Sequence, residues 1–147
     1  MPSPLSPQVL IDRYYEFYNE RRFQESAELF AADAVIEHAP FGKVSPAGGK
    51  GYVESAERSI HAFPDARIEV LGVHSHGDTI FEIDMVATGT HRGLLDLGTY
   101  GRFEPTGIFI RVRHREVLEI RRGLITYASV TLDVNDLLSQ LGGARHD

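Results

Sequence analysis

One segment in the second half of the chain alternates between apolar and charged residues, and it constrains the fold more than any other feature. Residues 108–121 read IFIRVRHREVLEIR, with apolar side chains at even positions and charged ones at most odd positions. A period of two is typical of a β-strand that turns one face toward a core. Only His114 and Glu116 interrupt the apolar face, and burying a carboxylate beside an imidazole costs several kcal/mol unless both are paired or hydrated. We therefore expect a polar cavity or a solvated edge at this pair.

A β-bulge is the alternative reading of the same segment. A regular strand of this length runs roughly 46 Å at about 3.3 Å per residue, which is long for a small domain. A bulge before Glu116 would turn its side chain outward. The two readings stay open at the level of sequence.

Length and composition favour one globular domain spanning residues 1–147, with residues 1–5 disordered and 143–147 forming a flexible tail. The chain has 147 residues, 42% of them hydrophobic, no cysteine and a net charge of −6. No apolar run approaches the roughly 20 residues that span a bilayer, and no secretory signal is visible. Arginines are spread along strand faces rather than gathered into a basic patch. We expect a cytoplasmic protein with a small-molecule partner, and neither a nucleic acid nor a membrane.

The remaining pattern places helices before strands. A Ser6-Pro7 start and a helical repeat of aromatic residues predict a first helix, and further helices are predicted over 23–32, closed by Asp33, and over 52–63. A glycine- and proline-rich stretch, residues 39–51, is expected to be a mobile loop that can act as a lid. Strands are predicted at the following segments: 34–38, 67–73, 79–91, 108–121 and 124–132.

This order predicts an α+β fold. Three N-terminal helices should pack on one face of a strongly curved antiparallel sheet, forming a cone-shaped α+β barrel with a central cavity.

Several short strings, taken in order, carry a family resemblance. They are Tyr18-Asn19, Ala32-Asp33, Phe63-Pro64-Asp65, the GTHRG string at 89–93, Pro105-Thr106-Gly107, and Gly123-Leu124-Ile125 running on to Gln140-Leu141-Gly142. In this order and spacing the chain resembles the SnoaL-like polyketide cyclases, within the nuclear-transport-factor-2-like and ketosteroid-isomerase-like fold. The resemblance implies ring closure by aldol condensation in secondary metabolism, and a homodimer by analogy of fold.

The same resemblance implies an acid/base aspartate on the last strand and a histidine on the strand before it. The family's aspartate falls on Val130, and a family histidine two residues earlier falls on Ala128. Valine cannot transfer a proton. The histidine of the preceding strand falls on Glu116, the residue already marked by alternation.

Three residues are therefore candidates for acid/base chemistry. Glu116 comes first, because an apolar cavity raises a carboxyl pKa toward neutrality. His114 could orient Glu116, bind a ligand carbonyl or act as a base, and its alternative is a place at the cavity mouth or an interface. His91 could reach the same cavity or hold the loop that follows it.

Substrate contacts are expected from side chains predicted to face the cavity. For the tyrosines the alternative is aromatic packing in the core. His38 ends the first predicted strand before the flexible loop, where it could lie at the cavity rim. The candidates are Tyr14, Tyr18, His38, Phe63, Phe81, Met85 and Val130.

No metal or organic cofactor is expected. His74, His76 and Asp78 form a compact set, but they lie on a tight turn where the imidazoles diverge. Glu82 and Asp84 are expected on a solvated or dimer face.

Three functions are consistent with these residues. The first is an enzyme that cyclises or isomerises a hydrophobic, carbonyl-bearing substrate, with Glu116 transferring a proton and His114 or His91 stabilising negative charge on oxygen. The second is a non-catalytic module that binds a hydrophobic ligand or a partner, favoured by the apolar residues at 128 and 130. The third is epoxide hydrolysis, for which the sequence offers no clear Asp-Arg-Asp set.

Overall fold

The computed structural model describes residues 5–38, 43–45 and 48–142. Four helices and eight strands follow one another in the described chain. The helices are α1 (Pro7–Asn19), α2 (Phe23–Ala27), α3 (Gly48–Ala62) and α4 (Val134–Gln140). The strands are β1 (Phe30–His38), β2 (Lys43–Ser45), β3 (Arg67–His76), β4 (Ile80–Thr90), β5 (Leu95–Asp96), β6 (Arg102–Phe103), β7 (Phe109–Arg121) and β8 (Leu124–Leu132).

Six strands form one curved sheet in the order β2-β1-β8-β7-β4-β3, and β5 and β6 form a small separate ribbon. The predicted α+β architecture is confirmed. The sheet is mixed rather than wholly antiparallel, because β1 runs parallel to β8. The long excursion from β1 through α3 and the central strands brings the chain back beside β1 in the same direction, as a parallel pair requires. Within the described residues the sheet stays open between its edge strands, β2 and β3.

Helix α1 begins where the sequence predicts. The Ser6 hydroxyl accepts a hydrogen bond from the backbone N–H of Val9, and Pro7 occupies the first turn, where a missing N–H costs nothing. The helix buries Leu10, Ile11 and the tyrosines one turn further on against the sheet.

Helices α2 and α3 differ from the prediction at their boundaries. Helix α2 ends at Ala27, and Asp33 lies inside β1 instead of closing the helix. Pairing with β8 explains this, because Leu29 already accepts a backbone hydrogen bond from Ile125. Helix α3 begins at Gly48, earlier than expected, and a Cβ on Gly49 would lie 2.5 Å from the carbonyl oxygen of Ala27. Glycine therefore allows α3 to pack closely on α2.

The predicted lid over residues 39–51 lies partly outside the described residues, namely at 39–42 and 46–47. The described part is regular structure and not a loop, since 43–45 form β2, paired with β1, and 48–51 form the first turn of α3. The predicted disorder at 1–5 and the tail at 143–147 also fall outside the described residues, apart from Leu5. No helix of the described chain is long and apolar enough to span a membrane.

The segment after β8, to which the sequence pattern assigned neither a helix nor a strand, forms helix α4. Asp133 caps it by accepting a hydrogen bond from the backbone N–H of Asp136 at 3.0 Å. Leu137 and Leu141 then pack against β7 side chains Ile110 and Val112 in a second apolar cluster. Helix α4 thus covers the sheet next to the end of β7 that precedes His114.

Candidate functional site

The phase of β7 decides which of its side chains reach the interior. β7 pairs with β4 in an unbroken antiparallel register from Phe109 to Glu119. The register with β8 shifts only between Glu119 and Ile120, beyond the residues of interest. Glu116 is therefore turned inward, and only 4% of its surface is exposed. The inward orientation predicted from alternation is confirmed, and a bulge before Glu116 is absent from the described strand.

Two adjacent tyrosines of α1 hold the buried carboxylate. The hydroxyl of Tyr15 donates to Oε1 of Glu116 at 2.6 Å, and that of Tyr14 donates to Oε2 at 3.0 Å. Both phenols lie one helical turn after Leu10 and Ile11, so the apolar face that seats α1 on the sheet also carries them inward. Each carboxylate oxygen thus has one phenol donor.

Burial and hydrogen bonding act on this carboxyl group in opposite directions. Removal from water raises the pKa of Glu116 to about 7, while the hydrogen bonds from Tyr15 and Tyr14 favour the charged form and limit the rise. Burial raises the pKa of both phenols well above the ordinary value, and the neighbouring carboxylate raises it further. The tyrosines therefore stay protonated and act as donors at all physiological pH values. Glu116 can both accept and release a proton near neutrality.

The strands on either side of Glu116 present apolar neighbours. Ile83 of β4 and Val130 of β8 are its direct cross-strand partners. Directly opposed side chains have Cβ atoms about 4.5–5.5 Å apart. The carboxyl group of Glu116 thus lies next to the position where the resemblance places an aspartate, but it is supplied by the neighbouring strand.

His114 lies on the same face of β7, two residues before Glu116. Its Nδ1 is 3.2 Å from the carbonyl oxygen of Val112. Burial lowers the pKa of His114, so the imidazole is neutral near pH 7. The hydrogen bonds that Glu116 receives from described residues come from Tyr14 and Tyr15, so the expectation that His114 orients Glu116 is wrong.

His91 lies elsewhere. It is fully buried, its Nδ1 is 3.0 Å from Oγ1 of Thr106, and its ring packs on Phe63. Backbone hydrogen bonds join His91 to Ile108 and Gly107. His91 does not line the cavity, so its expected reach into ligand space is wrong. Of the readings made from sequence, the geometry fits the one in which the imidazole holds the following loop.

A cavity of about 820 Å³ opens between the helices and the concave face of the sheet. Glu116 and His114 both line it, among mainly apolar side chains. Six of the seven predicted substrate contacts also line it, namely Tyr14, Tyr18, His38, Phe63, Met85 and Val130. Phe81 does not, because it lies opposite Leu118 and packs against the main apolar core.

Two lining tyrosines lay outside the predicted set of sites. Tyr15 belongs to the aromatic face of α1, for which core packing was the favoured interpretation and ligand contact the other. Tyr52 lies on α3, where its ring stacks on Phe30 at 5.3 Å between ring centroids and contacts Tyr14 at 5.4 Å. The helical spacing of Tyr52 predicted its burial but not its place beside the carboxylate.

The opposite face of the sheet carries exposed ion pairs. Arg115 contacts Glu82 at 3.0 Å and Asp84 at 3.2 Å, and His76 contacts Glu82 at 3.0 Å. These charges lie on the solvated face, as expected for Glu82 and Asp84. Among the described residues no group of three histidine or acidic side chains could hold a metal ion.

The fold and the site together define a class of protein. It is an α+β protein with a curved sheet backed by helices, and its mainly apolar cavity with a buried carboxylate in the wall is typical of sites that bind small molecules. The family model for SnoaL-like polyketide cyclase matches residues 8–141, and the chain belongs to that family.

Solved structures show the same fold. IdmH of Streptomyces antibioticus, provisionally assigned as a polyketide cyclase, is 26% identical, with 94% of this chain and 99% of that chain covered and a TM-score of 0.76. A protein of Catenulispora acidiphila with a ketosteroid isomerase-like fold, in complex with trimethylamine, is 18% identical, with coverage of 94% and 95% and a TM-score of 0.74. The epoxide hydrolase/cyclase-like enzyme SalBIII, from pyran ring formation in salinomycin, is 20% identical, with coverage of 88% and 92% and a TM-score of 0.69. No curated protein matches the chain.

Proposed function

We propose that this protein is an enzyme that cyclises or isomerises a hydrophobic, carbonyl-bearing substrate by acid/base catalysis at Glu116. The observation that carries the proposal is a carboxyl group with a pKa of about 7, buried in the wall of an apolar cavity and held by two phenols. A general base works best when its pKa lies near the working pH. Membership of the SnoaL-like family and the cyclase assignment of IdmH support the same reaction class.

The reaction begins with proton transfer to Glu116. The carboxylate takes a proton from the carbon next to the substrate carbonyl, and the electron pair of that C–H bond forms an enolate. The enolate carbon then attacks a second carbonyl to close a ring, or it is reprotonated at another position to isomerise the substrate. The carboxylic acid of Glu116 returns the proton at the end, so the protein is unchanged.

Tyr14 is the group best placed to stabilise the enolate oxygen. Its hydrogen bond to Glu116 is the longer of the two, at 3.0 Å, and its ring lines the cavity. Once Glu116 has gained a proton it becomes a weaker acceptor, whereas the enolate oxygen becomes a stronger one. The phenol can then donate to the substrate at the moment when negative charge develops. We assign this role to Tyr14 in place of the two histidines.

Proton exchange tests this proposal without knowledge of the natural substrate. We expect the protein to accelerate deuterium incorporation next to the carbonyl of a bicyclic ketone, 1-tetralone, in D₂O, followed by proton NMR. Glu116→Gln should lower the protein-catalysed rate by about 10²- to 10⁴-fold. Glu69→Gln is the matched control, because Glu69 is an exposed residue of β3 outside the cavity. Equal rates for Glu116→Gln and the unsubstituted protein would exclude Glu116 as the base.

A non-catalytic binding module is the second candidate. It is favoured by Val130 and Ala128, which are apolar where the resemblance places acid/base residues. In this case the cavity would bind 1-tetralone, measured by calorimetry, and yet leave its exchange rate at the level of buffer alone.

We also propose that the protein is a homodimer that uses the outer face of the sheet. Arg111 and Arg113 of β7 are exposed on this face opposite Thr88 and Val86, and the acidic residues Glu82 and Asp84 lie further along β4. A copy related by a two-fold axis would place the arginines of one chain against the acidic end of the other. Light scattering tests this, and Arg113→Glu should shift the mass toward that of a monomer.

A further inference from the structure

The hydrogen bond made by His114 determines which of its ring nitrogens carries a proton. Nδ1 lies 3.2 Å from the carbonyl oxygen of Val112, and a carbonyl oxygen can only accept. Nδ1 is therefore the donor. A neutral imidazole has one N–H, so Nε2 of His114 is left as an acceptor with a free lone pair.

The surroundings of His114 leave this acceptor without a protein partner. The directly opposed residues are Met85 on β4 and Leu132 on β8, and both are apolar. No hydrogen bond reaches Nε2 from any residue in the described part of the chain, although the ring lines the cavity. An acceptor in an apolar cavity favours a ligand that brings its own donor.

We propose that His114 is a specificity-determining residue that accepts a hydrogen bond from a hydroxyl group of the ligand. The ligand class is then a hydroxylated carbonyl compound, such as a phenolic or enolic ketone. His114 and Glu116 are two residues apart on one strand face, a separation of roughly 7 Å at about 3.3 Å per residue. The hydroxyl group and the acidic C–H bond therefore lie along the same edge of the ligand.

The assignment of a carbonyl group to the ligand rests on the proposed function, but the assignment of a hydroxyl group does not. A ligand whose hydroxyl is replaced by a methyl ether loses the donor while it keeps the aromatic body. The expected loss in affinity is roughly tenfold or more, since the acceptor is left unpaired in an apolar site.

Binding of a matched pair of probes tests the hydroxyl assignment alone. The probes are 2-naphthol and 2-methoxynaphthalene, titrated by fluorescence against four proteins: the unsubstituted chain, His114→Leu, His114→Gln and Glu69→Gln. The unsubstituted protein should prefer 2-naphthol by roughly tenfold or more. The preference should vanish in His114→Leu and return in part in His114→Gln, because the glutamine carbonyl oxygen can replace Nε2 as acceptor. It should persist in Glu69→Gln, the control outside the cavity.

The outcomes separate this proposal from the catalytic one. If Glu116→Gln exchanges protons normally while the naphthol preference still depends on His114, the catalytic proposal fails and this one stands. A preference that survives in His114→Leu, or one that is absent from the unsubstituted protein, overturns it.

A second measurement tests the tautomer without any ligand. In ¹⁵N NMR of the intact protein, Nδ1 of His114 should have the shift of a protonated ring nitrogen and Nε2 that of an unprotonated one. The resonance of Nε2 should move on addition of 2-naphthol and not on addition of its methyl ether. A protonated Nε2 at neutral pH would also overturn the proposal.

Discussion

The hydroxyl of Tyr15 donates to Oε1 of Glu116 at 2.6 Å, and this contact joins two residues that lie 101 positions apart in the chain. It links the first helix to the longest strand through a buried hydrogen bond in a mainly apolar interior. With Tyr14 on the other carboxylate oxygen, it compensates part of the cost of burying the acid.

Removing the Tyr15 hydroxyl should raise the pKa of Glu116 above 7. Burial raises the pKa of Glu116, and the hydrogen bond from Tyr15 lowers it by favouring the charged carboxylate. In Tyr15→Phe the lowering effect of this hydrogen bond is lost. A hydrogen bond to a charged group is worth about 1.5–3 kcal/mol, or about 1–2 pKa units. The measurement is a ¹³C NMR titration of labelled glutamate. Tyr127→Phe is the control, because Tyr127 donates to Glu37 and not to Glu116. An unchanged midpoint in Tyr15→Phe would contradict the prediction.

Glu116 should make the protein less stable as the pH rises. Its pKa is about 7 in the folded state and 4.5 at its ordinary value, so between these pH values the folded state binds more protons than the unfolded state. The free energy of unfolding therefore falls through this window, by about 2–3 kcal/mol between pH 5 and 8. Urea denaturation at both pH values should show this fall in the free energy of unfolding in the unsubstituted protein and in Glu69→Gln. The fall should be missing from Glu116→Gln, and an equal pH dependence in that variant would exclude Glu116 as its cause.

A carboxylate introduced at Val130 should replace Glu116 in part. Val130 is directly opposite Glu116 and lines the same cavity, so an aspartate there reaches much of the same space. In a Glu116→Gln background, Val130→Asp should raise the exchange rate of 1-tetralone about tenfold or more above that of Glu116→Gln alone. The reason is that acid/base catalysis contributes about 10²- to 10⁴-fold. Val35→Asp in the same background is the control, because Val35 is an exposed residue outside the cavity. Recovery by both variants, or by neither, would count against the proposed geometry.

Gly93 should tolerate no side chain. A Cβ at this position would lie 2.1 Å from the carbonyl oxygen of His61, so the backbone after β4 would have to move. Gly93→Ala should cost about 1–3 kcal/mol, as overpacking does. Gly72→Ala is the control, since its Cβ would meet only the His74 side chain at an ordinary 3.7 Å. Thermal unfolding should show a clear decrease for the first variant alone, and similar midpoints for both would refute the close contact.

The elements with the clearest periodicity were predictable from sequence. Strand β8 has the predicted bounds, Leu124–Leu132, and β7 keeps the predicted phase, because a period of two in a half-buried strand leaves only one orientation that buries its apolar side chains. Helix α1 begins at its predicted cap. The boundaries of α2 and α3 were not predictable, because pairing of β1 with β8 and the close approach of Gly49 to Ala27 are contacts between distant segments.

The candidate site was likewise predictable only in part. Alternation favoured an inward Glu116 but left a β-bulge open, and the unbroken pairing of β7 with β4 decided between the two readings. The local pattern could not show that His91 packs against Phe63 without lining the cavity itself, or that His114 donates to the backbone carbonyl of Val112.

The sequence by itself predicted an α+β fold with a cavity, and it indicated a carboxylate on an apolar strand face with a bulge as the alternative. Only the tertiary structure determined what surrounds that carboxylate. Periodicity states which side chains share a face, whereas the partners of a buried acid come from whichever segments pack over that face. For Glu116 these are the phenols of Tyr14 and Tyr15, and together with burial they place its pKa near neutrality.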